Sequence, residues 1–310
     1  MSSTPSVLAL LERRIGTLAA GVAANWGIYV RFLDNGDEIA IGADRKMDTM
    51  SLIKVPILVT LMRCVDRGEV DLATRVVLDD DMKRLGTGVL RLFGAGASFS
   101  LLDAAWMMEV VSDNTATDIC LDAAGGVDAV NATMRDLGID GIEMTGTALD
   151  WFRALGSSMD PELGRVAPGE FARRGYPPLG PEGLADARAR YHFETGRPFS
   201  LATPRALGNL LAMIEADACA SPASCALMRT ILEGQQLNDM IPRHAWGAKF
   251  AHKTGNFSPF IASDIAVATP ARGAKVIMCF MTGRHRGPAG ECEERIGRMA
   301  ELVLAVAESR

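Results

Sequence analysis

The chain has 310 residues, 48% of them hydrophobic, and a formal net charge of −6. That length supports one large core or two intimately packed lobes. The acidic balance, with no Lys/Arg run beyond short pairs, argues against a nucleic-acid-binding protein, and no stretch of roughly 18 apolar residues exists to span a membrane. Met1 to Pro5 is small and polar and lacks the basic start and apolar run of a secretory signal. A cytoplasmic location is expected, or a periplasmic or secreted one if a leader was removed.

Val7 to Ala19 carries apolar residues at helical spacing, interrupted by Glu12, Arg13 and Arg14, and reads as an amphipathic helix. Trp26 to Phe32 alternates as a strand does. Asp34-Asn35-Gly36 then signals a hairpin turn before a second strand, Glu38 to Ile41. Leu52 to Val65 is apolar nearly all round, which marks a central buried helix. Ser100 to Val111 and Thr115 to Ala124 are further helices, with Asp118 and Asp122 on the solvated face of the latter.

From Thr145 to Arg197 prolines and glycines accumulate, among them Pro161, Pro168, Pro177, Pro178 and Pro181. This composition predicts a loop of unusual length. Thr203-Pro204 opens a helix over Arg205 to Glu215, where the proline suits the first turn. Lys249 to Lys253, Ile261 to Ala268 and Lys275 to Met281 read as strands, and Glu293 to Glu308 as a terminal helix. The order of elements is an α+β plan: an antiparallel sheet from the two chain ends, packed with helices, plus an inserted all-helical lobe. The expected division is a single domain over 1–310. An α/β lobe takes about 1–45 and 215–310, and a helical lobe about 46–214 carries an enlarged loop at 145–200.

Six cysteines (Cys64, Cys120, Cys219, Cys225, Cys279 and Cys292) fit neither a zinc site nor a CxxC redox motif. They are expected to be reduced and mostly buried. His192, His244, His252 and His285 are scattered, without a partner at ligand spacing. No metal and no cofactor are expected.

The chemistry concentrates in three short motifs: Ser51-Leu52-Ile53-Lys54, Ser112-Asp113-Asn114 and Lys253-Thr254-Gly255. A specified tripeptide occurs by chance ~0.1 times or less in such a chain, so all three in this order are hard to attribute to chance. Taken singly, each has a bland explanation: a serine cap with a snorkelling lysine, a helix N-cap, and an edge-strand lysine before a glycine turn.

Taken together they describe an activated nucleophile. Ser51 and Lys54 share a helix face, so the amine can reach the hydroxyl. Serine attacks only when a base takes its proton, and lysine is a base only when burial or a neighbouring cation lowers its pKa. The apolar helix and Lys253 supply both conditions. Ser112 would relay a proton to the leaving group, and Asn114 would bind a substrate amide. Asp113 would fix the turn. Lys253 would give a positive field, and Thr254 would bind a carboxylate. Gly255 would let the substrate approach the backbone. The N–H groups of Ser51 and Asn256 would hold an oxyanion.

These residues resemble the serine β-lactamase and penicillin-binding-protein superfamily, most closely class A β-lactamases. Met50 to Pro56 is similar to that family's nucleophile helix, and Val111 to Asp118 to its second motif. Gly86-Thr87-Gly88-Val89-Leu90-Arg91 looks like the turn before the next helices, and Thr203 to Leu207 like the helix after the Ω-loop. His252 to Gly255, followed by Asp264 to Val267, looks like its late strands. The resemblance runs from roughly Thr17 to Ala305. It implies a β-lactamase-like fold of two lobes with the site between them.

Class A enzymes carry an Ω-loop glutamate that activates the deacylating water. Here Asp160-Pro161-Glu162-Leu163-Gly164 looks like that stretch, with Asp in place of the family's Glu and Gly164 in place of its Asn. Asp160, Glu162 and Glu194 are all candidates for the base. The aromatics Phe171, Tyr176, Tyr191 and Phe193 could cap the cleft. The leading expectation is a serine hydrolase of the β-lactamase type. The rivals are an amidase or esterase on a non-antibiotic substrate, a penicillin-binding protein with slow deacylation, and a non-catalytic binding protein. A glutaminase-type amidase also uses Ser-x-x-Lys. The expected partner is a small-molecule substrate, with no nucleic acid or membrane. The chain is expected to be a monomer or small homo-oligomer.

Overall fold

A computed structural model describes residues 6–310, so the reading of Met1 to Pro5 lies outside the described residues. Helix α1, Val7–Ala20, starts at a Ser6 cap. Strands β1, Asn25–Phe32, and β2, Glu38–Ile41, form the hairpin that Asp34-Asn35-Gly36 predicts. A two-residue strand β3, Met47–Asp48, leads into a single 3-10 turn, Met50–Ile53, and then into α2, Lys54–Asp66. Pro56 is the third residue of α2, where the missing N–H costs no intrahelical bond.

The helical lobe follows. It contains the short strands β4, Arg75–Val77, and β5, Ser98–Ser100, then helices α3, Leu101–Val110, α4, Asn114–Ala123, and α5, Gly126–Asp136. Ser100 and Asp103 form a capping box on α3. Strand β6 is Ile142–Met144, and α6 is Ala148–Met159. Asp118, expected on a solvated face, is instead buried. It pairs with Arg84 and accepts the Ala148 and Leu149 N–H groups at 2.8 and 3.1 Å, capping α6.

The predicted long loop at 145–200 is mostly helical. After α6 come a 3-10 turn at Pro161–Gly164, α7 at Pro168–Arg174, α8 at Gly180–Arg190, and one π-helical turn at Tyr191–Thr195. Pro161, Pro168 and Pro181 do not break helices here. Each occupies the first turn of one, where proline is favoured.

Strand β7, Ser200–Ala202, joins β3 and β6 in a small sheet. Helix α9, Pro204–Glu215, is capped by Thr203, and α10 is Pro222–Glu233. Helices α5 and α10 add to the elements read from the sequence. The last strands are β8, Lys249–Phe257, β9, Ile261–Thr269, and β10, Val276–Gly283, followed by α11, Glu291–Ala307.

The main sheet is antiparallel in the order β2-β1-β10-β9-β8. One face buries Ile28, Val30 and Phe280 against α1 and α11. The other buries Tyr29, Ile277 and Cys279 against the larger core that continues into the helical lobe. Although the expected boundary at 214 puts α9 in that lobe, the helix packs on β1 and β10. The six cysteines are free and buried. No helix among the described residues is long and apolar enough to cross a membrane.

Candidate active site

Three separate elements deliver the site. The 3-10 turn carries Ser51, the loop between α3 and α4 carries Ser112, and β8 carries Lys253, Thr254 and Asn256. Met50 and Ser112 both sit in the left-handed region, at φ 43° and 55°. For non-glycine residues that conformation costs about 1–3 kcal/mol each and tends to occur at functional sites. Each flanks a residue whose side chain must be aimed.

Lys54 and Lys253 are wholly buried, at 0% exposure. The Lys54 ammonium donates to the Ser112 carbonyl at 2.8 Å, the Ser112 hydroxyl at 2.9 Å and Asn114 Oδ1 at 3.0 Å. Lys253 reaches the same Ser112 hydroxyl at 3.1 Å and the Thr254 carbonyl at 2.9 Å. One hydroxyl thus lies between two amines. Burial and the neighbouring Lys253 hold the Lys54 amine well below the ordinary lysine value. Burial also pushes Lys253 down, while Glu109 and Asp264 pull it back up.

The loops around these groups are tied down. Asp113 accepts from the N–H groups of Val89 and Leu90 at 2.6 and 2.8 Å and from that of Ala116 at 3.0 Å. It therefore caps α4 and anchors the turn at 86–90, as expected of a structural residue. Gly255 is obligatory. A β-carbon there would lie 2.5 Å from the Thr49 carbonyl oxygen and 3.2 Å from the Leu52 nitrogen. The close approach seats β8 directly on the nucleophile turn.

These residues open on a cleft of about 340 Å³, lined by Ser51, Ser112, Asn114, Thr254 and Asn256. Gly86 and Thr87 close one side of it. Trp151, Phe152 and Leu155 of α6 form an apolar wall, and Tyr176 and Leu184 also line the cleft. Trp151 meets Phe152, Tyr191 and Phe257 edge to face, at centroid separations of 5.2, 5.6 and 5.2 Å. Of the four aromatics expected to cap the cleft, Tyr176 alone lines it. Phe171 fills a satellite core with Leu85 and Leu163, Tyr191 backs Trp151, and Phe193 packs on Phe260.

The structure brings none of the three candidate bases to the cleft. Asp160 terminates α6, where it accepts the Glu162 N–H at 3.0 Å and faces Arg174 at 3.9 Å. Glu162 is exposed, 3.7 Å from Arg165. Glu194 is exposed on the π-helical turn. The reason is the helical geometry of α6: the residues it turns inward are Trp151, Phe152 and Leu155, and Asp160 follows only after the helix has ended.

Two groups escaped the sequence reading. Glu109 of α3 is wholly buried, and neither carboxylate oxygen has a hydrogen-bond partner among the described residues. Burial pushes its pKa up to about 7, against the pull of Lys253 and Lys54. Its signal was available: one glutamate after an apolar run, Ala104 to Met108, three residues before Ser112. The other is Arg188 of α8, which lines the cleft but lies inside the stretch taken for a loop.

The chain matches the model described as the beta-lactamase enzyme family over residues 10–307. Among solved structures, a beta-lactamase from Sphaerobacter thermophilus is 22% identical, with a TM-score of 0.74 over 96% of this chain and 97% of that one. A mutant of PBP-A, solved as an acyl-enzyme complex with penicillin G, is 23% identical, with a TM-score of 0.76 over 99% and 100%. An ancestral class A beta-lactamase is 19% identical, with a TM-score of 0.76 over 96% and 99%. At these identities the likeness shows the fold. No curated protein matches the chain.

Proposed function

The chain belongs to the beta-lactamase enzyme family, and from that premise we propose a serine hydrolase that forms an acyl-enzyme at Ser51 on a cyclic amide, with β-lactam hydrolysis as its reaction. The observation that carries this reading is the buried Lys54 amine, which shares the Ser112 hydroxyl with Lys253 beside Ser51. As an ammonium, Lys54 spends its three N–H bonds on three acceptors. As a neutral amine, which its depressed pKa favours, it has a lone pair for a proton.

Lys54 takes the Ser51 proton as the serine oxygen adds to the carbonyl carbon. The N–H groups of Ser51 and Asn256 hold the oxyanion. The C–N bond then breaks, Ser112 passes its proton to the leaving nitrogen, and Lys54 restores the Ser112 proton. Thr254 and Lys253 take the substrate carboxylate. The Asn114 amide gives one N–H to the Leu85 carbonyl at 2.9 Å and keeps the other for the substrate.

Hydrolysis then needs a water and a base. Among the described residues no carboxylate lines the cleft, and one of its walls is aromatic. Water activation therefore falls to the Lys54–Ser112–Lys253 relay, and deacylation is the slow step. The same apolar wall favours a second reading, a penicillin-binding protein that keeps its adduct. Intact mass of the wild-type and Ser51→Ala proteins after penicillin G and nitrocefin, with absorbance followed in parallel, separates the readings. Ser51-dependent turnover supports hydrolysis, and a lasting adduct without turnover supports the second. Absence of any adduct or turnover in the wild type sinks both.

A further inference from the structure

Arg188 is a half-buried cation in the cleft that contains Ser51. Its guanidinium carbon lies over the Phe257 ring, 4.5 Å from the ring centre. Among the described residues it makes no hydrogen bond and no ion pair. Burial lowers its pKa, and the one ionisable neighbour that perturbs it is Tyr176. Tyr176 lines the same cleft, and its buried hydroxyl has no hydrogen-bond partner among the described residues. One unpaired cation thus lies in the cleft with one buried, unpartnered hydroxyl. A buried donor left unpaired is costly, and an anion drawn to Arg188 with two acceptor oxygens offers a partner to both.

Position distinguishes this pair from the Thr254–Lys253 end of the cleft. Phe257 is three residues beyond Thr254 on β8, roughly 10 Å along the strand. One small carboxylate cannot occupy both places. The carrier of the Arg188 site is α8, which packs on α6, the helix that supplies the apolar wall. An acyl group held at Ser51 by its carbonyl, with one carboxylate at Thr254, would extend its side chain toward this wall.

We propose that the cleft selects acyl substrates with a second carboxylate on the acyl side chain, taken by Arg188 together with the Tyr176 hydroxyl. The proposal rests on the acyl-enzyme reading above, so its test uses binding as well as chemistry. Penicillin G and carbenicillin differ by one carboxylate, on the side-chain carbon next to the amide carbonyl. Their affinities for full-length Ser51→Ala protein are measured by calorimetry, and wild-type adduct formation by intact mass.

The expected result is that Ser51→Ala protein binds carbenicillin about tenfold or more tightly than penicillin G, the usual scale for a charged hydrogen-bonded pair. Adding Arg188→Met, which keeps the apolar stem, brings the ratio to near one. Adding Tyr176→Phe lowers it by about threefold, and carries the test if the Arg188 variant fails to fold. Equal affinities, no binding of either ligand, or a ratio that survives in folded Arg188→Met protein overturns the proposal. Discrimination without a wild-type adduct supports the Arg188 site and sinks the acyl-enzyme reading. An adduct without discrimination does the reverse.

Discussion

The two walls of the cleft are built on opposite principles. On one side Lys54, Ser112, Asn114 and Lys253 form a dry polar network in which each amine has close acceptors. On the other, Trp151, Phe152 and Leu155 present carbon, and neither Arg188 nor the Tyr176 hydroxyl has a hydrogen-bond partner among the described residues. The first wall comes from elements locked by caps, strand pairing and the Gly255 contact. The second comes from α6 and α8, which lie within the proline-rich segment. On the proposed reading, bond-making belongs to the first wall, and the rate of release and the fit of the acyl group belong to the second.

Removing the base from the polar wall is expected to have the largest effect. Lys54→Met should slow adduct formation with penicillin G by about 10³-fold, within the range of general-base catalysis. The melting temperature should hold or rise, because a buried cation is replaced by a well-packed apolar chain. A variant that acylates normally would break the contrast between the walls.

Next is the converse change, a carboxylate in the apolar wall. A β-carbon on Gly86 would meet both Asn114 Nδ2 and the Phe152 ring at 2.6 Å, so the ring lies near the Asn114 amide. Phe152→Glu should therefore speed loss of the penicillin adduct, by about 10²-fold. An unchanged adduct lifetime would show that the missing base is not what limits release.

Gly255→Ala tests the seam between β8 and the nucleophile turn. The added methyl group meets the Thr49 carbonyl oxygen at 2.5 Å. A stability loss of about 1–3 kcal/mol is expected by chemical unfolding, with acylation down about tenfold as the oxyanion donors separate.

The smallest effect is a shift in pH dependence. The Glu109 carboxylate raises the pKa of both Lys54 and Lys253. Glu109→Gln removes it, so the amines lose their protons more readily. The rising limb of the acylation–pH profile should move to lower pH by about half a unit or more. Stability should change as well. The folded carboxyl titrates near pH 7 instead of 4.5, so it keeps a proton that the unfolded chain has released. The wild type therefore loses stability as pH rises through that window, and the variant should not.

The juxtaposition of the polar wall's residues was legible because each motif is local in the sequence. Ser51 and Lys54 lie one helical turn apart, Ser112 and Asn114 share a cap, and Lys253 to Asn256 share a strand. The hairpin and the last three strands were legible from alternation and turn residues. The apolar wall was not, for two physical reasons. Prolines that punctuate a sequence also start helices, so α7 and α8 looked like loop. Carboxylates that suggest a base by spacing were doing other work: Asp160 ends a helix, and Glu162 and Glu194 face water. Asp118 misled in the opposite direction, since its burial depends on Arg84 and α6, which lie far from it in the chain.

The strand order has a consequence for biosynthesis. β1 pairs with β10, so Phe32 must wait for Val276 to leave the ribosome. At ordinary translation speeds that delay is on the order of tens of seconds. Ser51, Lys54, Ser112 and Lys253 are all synthesised before Val276, yet the sheet that steadies β8 has no centre until then. Through that interval the apolar face of β1, with Ile28 and Val30, lacks both its neighbouring strand and α11. A nascent chain of this topology keeps that apolar face uncovered until late in translation, and its candidate site is assembled only near the end of synthesis.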